Sequence, residues 1–160
     1  MTLLLALVGI IGTQHQQQLD VAATATLPLQ QLEKYLPGAK SLGRVEPQSG
    51  AMEVVDESAE LLGYALQTAP AANRFIGFSG PTNLLLVFDR QGRLAAVEIL
   101  SSGDTREHVA LIEARSEFLG QLLGESWAEM APERLQQIDA DSGATLTSLA
   151  MLRGLAARLG

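Results

Sequence analysis

The chain has 160 residues, 47% of them hydrophobic and 18% charged, which fits one globular domain able to bury a core without disulfides or structural metal. Its 18 acidic and 11 basic side chains leave a net charge of −7, and a phosphate-tracking nucleic-acid binder, which needs a basic face, is excluded. There is no cysteine, so disulfide frameworks, thiolate metal sites, iron–sulfur ligation and thiol nucleophiles are ruled out within the chain, and any redox chemistry must come from a bound cofactor.

The first element is the apolar run Leu3 to Gly12, about half of what a membrane-spanning helix requires. It resembles the apolar region of a signal peptide, although no Lys or Arg precedes it and the small residues Ala22 to Ala25 stand apart from it. Residues 1–25 therefore read as a signal or anchor segment that exports or tethers the chain, the alternatives being a buried first helix or strand or a start placed inside a longer leader. Pro28 to Tyr35 places Leu29, Leu32 and Tyr35 at helical spacing before Pro37-Gly38, which predicts a short helix. Ser41 to Gly50 is polar and turn-rich, and Ala51 to Val55 and Leu61 to Leu66 read as a hairpin around Asp56 to Glu60.

Asn73 to Pro81 (NRFIGFSGP) combines two glycines, a proline and two phenylalanines, the composition of a shaped loop. Leu84 to Phe88 and Leu94 to Leu100 form a second predicted hairpin, with turn chemistry in Asp89 to Gly92. Asp104 followed by Glu107 has the form of a capping box, predicting a helix from Thr105 that carries Val109, Leu111 and Ile112. A further helical stretch runs from Glu117 to Leu123 with Phe118, Leu119, Leu122 and Leu123 on one face, and Ala131-Pro132 opens another. Leu146 to Leu159 closes the chain as a helix, with Arg153 and Arg158 where cations suit its dipole. Strands joined by tight turns cannot be parallel, so the expected fold is α+β: a mostly antiparallel sheet built from hairpins and flanked by helices.

His15 and His108 are far apart and have no partner at metal-ligand spacing, so no metal site is expected. No Ser-His-Asp or paired-carboxylate arrangement accompanies them, so the chain does not read as an enzyme with a substrate of its own. The segment suited to chemistry is Asp139 to Ser148, DADSGATLTS, which sets hydroxyls and small residues at the start of the last helix. Backbone N–H groups there have no intrahelical partner and sit at the positive end of the helix dipole, which favours an anion such as phosphate. The same hydroxyls, Ser142, Thr145, Thr147 and Ser148, could instead serve only as helix caps.

Asp139 to Thr145 resembles the motif D-x-x-S/T-G-A-T/S of FMN-binding domains, such as those of the sodium-translocating NADH:quinone reductase C subunit, the Rnf complex G subunit and nitrous-oxide-reductase-associated flavoprotein regulators. Leu36 to Ala39, Leu62-Gly63-Tyr64, Gly77 to Gly80 and Asp89 to Arg93 occur in that family's order, so the resemblance covers about Leu27 to Gly160 and makes residues 26–160 an FMN-binding domain. It implies that a flavin transferase joins FMN through a phosphoester to Thr145, with Ser142, Gly143 and Ala144 shaping the bend. Asp139 would serve transferase recognition or a metal-assisted step, and Thr147 would be the fallback acceptor. Asp104-Thr105 occupies the place of an acidic residue and Thr found near the flavin in the family, but lacks the Pro or Gly that follows there. Thr105 and the loop with Phe78 and Ser79 are candidates for lining the isoalloxazine, Phe78 being equally suited to the core; Tyr64 is expected in the core.

The resemblance implies an extracytoplasmic, periplasmic, membrane-associated module that relays electrons through covalent FMN to a membrane redox partner such as an iron–sulfur protein. A redox-sensing regulatory module without electron throughput, or noncovalent flavin binding, is the alternative. The regulators it resembles run on into membrane helices and cysteine-rich modules absent from this sequence, so an excised domain or a stand-alone relative is expected.

Overall fold

The computed structural model describes residues 27–160 except Gln48, Arg115, Ser116 and Asp141; the Leu3 to Gly12 run and His15 lie outside the described residues. Helix α1, Leu29–Tyr35, forms as its spacing predicts. Five strands follow: β1 Ser41–Val45, β2 Met52–Val55, β3 Leu61–Gln67, β4 Thr82–Phe88 and β5 Leu94–Ser102. They lie side by side in chain order, each pair antiparallel, so the two expected hairpins are parts of one meander. The α+β expectation holds. The polar, turn-rich stretch Ser41 to Gly50 departs from expectation in its first half, which is β1. As an edge strand with one neighbour and mostly exposed side chains, β1 carries no apolar alternation to betray it.

Strand β4 explains the architecture. Its side chains alternate between two layers: Leu84, Leu86 and Phe88 enter a core with the C-terminal helices, while Leu85 and Val87 pack with Leu32 and Leu36 of the α1 region. A strand covered on both faces needs no polar alternation, which is why LLLVF is continuously apolar. Burying each such side chain contributes about 1.5–3 kcal/mol, so both layers depend on this strand.

The covering helices are α2 Arg106–Ala114, α3 Glu117–Gly120, α4 Pro132–Leu135 and α5 Thr145–Leu159. Helix α3 is shorter than predicted; turns follow it, and Leu123 is 51% exposed instead of sharing the face of Phe118 and Leu122. In the connection that follows, Trp127 packs edge-on against Phe88 at 5.4 Å and Tyr64 at 5.6 Å, which makes Tyr64 a core aromatic as expected. Helix α5 lies on a 3-10 turn, Ala71–Arg74, so closely that a Cβ added at Gly154 would stand 2.8 Å from the Cβ of Ala72. This contact brings the N-terminus of α5 beside the loop that leaves the 3-10 turn. Arg158 stands in the last turn of α5, as its place in the sequence predicts, and also donates to the carbonyls of Ser49 at 2.8 Å, Gly50 at 2.9 Å and Gln67 at 3.2 Å. No helix among the described residues is long and apolar enough to cross a membrane.

Candidate functional site

The segment before α5 bends at Gly143, whose φ of +101° is a left-handed conformation that glycine adopts without strain. Ala144 occupies the N-cap position and offers no side-chain cap. Two of the hydroxyls that could have capped the helix are used differently. Ser148 Oγ donates back to the Ala144 carbonyl at 2.9 Å, inside the helix. Thr147, 1% exposed, donates its hydroxyl to the Asp104 carboxylate. Thr145 is the first helical residue and is exposed. The geometry thus separates the expected acceptor, at the surface, from the fallback acceptor Thr147, which is turned inward.

Asp104 is a second centre. Its carboxylate accepts the Phe78 amide at 2.9 Å, the Ser79 amide at 2.6 Å, the Thr105 amide at 3.3 Å and the Thr147 hydroxyl. Partial burial is the largest single influence on this carboxyl and acts to raise its pKa; the hydrogen bonds from Thr147, Phe78, Ser79 and Thr105 together outweigh it and hold the pKa below the ordinary carboxylate value. The capping-box expectation is corrected here. Thr105, whose carbonyl accepts from the Val109 amide at 3.2 Å, is the residue that opens α2, while the Asp104 side chain turns to the loop and to α5.

Between these centres lies an open cleft of about 240 Å³ lined by Phe78, His108 and the run Gly143 to Thr147. Phe78 is 58% exposed, which removes it from the core, and its ring lies 4.7 Å from that of His108. The His108 ring is held in turn through Nδ1 by the Thr105 hydroxyl. Leu146 and Leu111 add apolar surface nearby, 58% and 37% exposed, with Leu111 Cδ1 at 3.6 Å from a Cβ placed on Gly143. The fold therefore brings Phe78, Ser79, Asp104, Thr105 and Thr147 together, and gathers Phe78 with Gly143, Ala144 and Thr145 around the cleft. Ser142 is exposed at its edge, and Asp139 is exposed farther back, beyond the described bend. Among the described residues no cluster of three or more His, Asp or Glu could hold a metal ion.

Sequence reasoning missed His108, Leu111 and Leu146 as neighbours of the cleft. Leu146 continues the three-residue spacing of Leu149, Leu152 and Leu155, so nothing in the sequence marked it as exposed.

These residues suit FMN. An exposed hydroxyl stands at a helix N-terminus whose N-cap residue is alanine, glycine and alanine give close approach, and apolar and aromatic side chains border the adjacent space. No curated protein sequence matches the chain. The FMN-binding domain family matches residues 77–159, just over half of the chain, from the loop below Phe78 to the end of α5. The match takes in the loop, both sheet strands next to it and the whole cleft, and the chain belongs to the FMN-binding domain family.

Proposed function

We infer that this domain carries FMN covalently, through a phosphoester to Thr145, and relays electrons in an extracytoplasmic, membrane-associated redox chain. The observation that carries this reading is the placement of Thr145: exposed, first in a 15-residue helix, and followed by a buried Thr147 whose hydroxyl is already committed to Asp104. Relative to free FMN and protein, the ester forms as the Thr145 oxygen binds phosphorus and the elements of water are lost. The α5 dipole and its first-turn amides stabilise the phosphate's negative charge, by about 0.3–1 kcal/mol at an exposed helix end. Gly143 and Ala144 let the phosphate approach the backbone, and Phe78, Leu111 and Leu146 supply apolar surface for the ring. When bound, FMN supplies one- and two-electron transfer, and the surrounding side chains tune its potential by hydrogen bonding and burial.

A flavin transferase is the required maturation partner, and a membrane redox protein, such as an iron–sulfur protein, is the fitting electron partner. Covalent anchoring makes sense outside the cytoplasm, where a dissociated flavin would be diluted and not replaced. Co-expression with a flavin transferase, export and intact mass after denaturation test the reading: the chain is expected to gain about 438 Da, the mass of FMN less water. Thr145→Ala should lack that gain. A chain without the added mass, under conditions that load a control domain, would overturn covalent attachment.

A further inference from the structure

We propose that Asp104 is a positioning residue: its carboxylate clasps the Gly77 to Gly80 loop to the first turn of α5 and thereby sets the Phe78–His108 wall of the cleft beside Thr145. The flavin side of this proposal rests on the reading of Thr145 as the FMN anchor, while the clasp itself stands on the geometry of the protein.

Three chain segments meet at this one carboxylate. The Phe78 and Ser79 amides come from the loop, 26 and 25 residues away, and the Thr147 hydroxyl comes from α5, 43 residues away. Each of these groups donates to it, and an ionised carboxylate, which accepts at both oxygens, can satisfy all of them at once. The backbone is built to allow the approach. A Cβ on Gly77 would fall 2.1 Å from Asp104 Oδ2 and 3.1 Å from Thr147 Cα, and one on Gly80 would fall 2.6 Å from the Gly103 carbonyl. The loop also closes on itself through the Gly77 amide and Gly80 carbonyl at 3.0 Å.

The wall depends on the same group from both sides. Phe78, more than half exposed, has no core packing to fix its ring; its amide is held by Asp104 and its ring rests on His108. His108 is held by Thr105, whose amide is held by Asp104. Phe78, Asp104, Thr105 and His108 thus form a closed circuit of contacts, and opening it at Asp104 releases both rings.

Asp104→Asn tests this, because one amide nitrogen would replace one oxygen and, in either orientation of the amide, set a donor against the Phe78 or the Ser79 amide. In the protein without flavin, hydrogen exchange at the Phe78 and Ser79 amides should accelerate about tenfold, the loss expected for a charge-assisted hydrogen bond, with β4 amides unchanged. In the loaded protein, Asp104→Asn should keep FMN on Thr145 by mass, while the flavin's fluorescence anisotropy falls and its midpoint potential shifts. Unchanged exchange at Phe78 and Ser79 overturns the clasp; faster exchange with unchanged anisotropy and potential overturns its role toward the cofactor. Should the wild type take up no FMN, the anchor reading fails, and with it the role toward the cofactor, while exchange still decides the clasp. Thr147→Val, which removes one donor and keeps the carboxylate, is the second variant should Asp104→Asn not fold, and should give a smaller acceleration at the same two amides.

Discussion

Four hydroxyl residues between Ser142 and Ser148 look interchangeable in the sequence, yet Thr147 and Ser148 are buried and only Thr145 combines exposure with the first position of the helix. Thr147 owes its inward turn to Asp104, whose charge has a consequence for stability. The carboxyl's pKa in the folded protein lies below its unfolded value, so ionised Asp104 contributes stability at all pH values above the unfolded pKa. That contribution is lost as pH falls through the folded value. The stability gap between wild type and Asp104→Asn, read from urea midpoints, should therefore be constant near neutrality and close on the acid side of the ordinary carboxylate range. A gap independent of pH would mean that the ionised carboxylate is not what holds the loop. None of this was legible in the sequence. The spacing of Asp104 and Glu107 pointed to a capping box, because local pattern cannot register an acceptor whose donors sit 26 and 43 residues away.

At the level of elements, legibility followed burial. Helix α1 and the hairpins β2–β3 and β4–β5 announced themselves because each buries a patterned set of apolar residues, whereas β1, at the edge and exposed, did not. The motif before α5 was legible as a helix start, and Gly143 marked the bend, but the exposed leucines beside the cleft were not, since a surface leucine reads the same as a buried one. Strand β4 bears the greatest burden, as Phe88 is fully buried and carries Trp127 on its ring at 5.4 Å. Phe88→Ala should destabilise the domain by about 3–5 kcal/mol, the range for aromatic truncation in a close-packed core. Urea unfolding followed by Trp127 fluorescence would measure it, and a loss below about 1 kcal/mol would show that the C-terminal helices can close over the gap.

The family match begins at residue 77, but the molecule does not divide there. Strand β4 hydrogen-bonds β3 from Tyr64 to Gln67, and its Leu85 and Val87 are covered by Leu32, Leu36 and Ala65, all before the match. Helix α5 holds the proposed anchor at one end, and at the other its Arg158 grips the carbonyls of Ser49, Gly50 and Gln67. The cleft is therefore built on a sheet and a helix whose supports lie in the first half of the chain. A chain shortened to residues 77–160 would expose one face of β4 and β5, leave β4 with an open edge and strip Arg158 of its three acceptors. Each fully buried Leu or Val so exposed forfeits about 1.5–3 kcal/mol, and two or three such losses consume much of the 5–15 kcal/mol that holds a domain together. The shortened chain is expected to show no cooperative urea transition and poorly dispersed amide resonances, whereas residues 27–160 should unfold in a single step. A cooperative transition in the shortened chain would mean that β3 and α1 merely decorate the site, and the first half of the molecule would then need a purpose other than holding it.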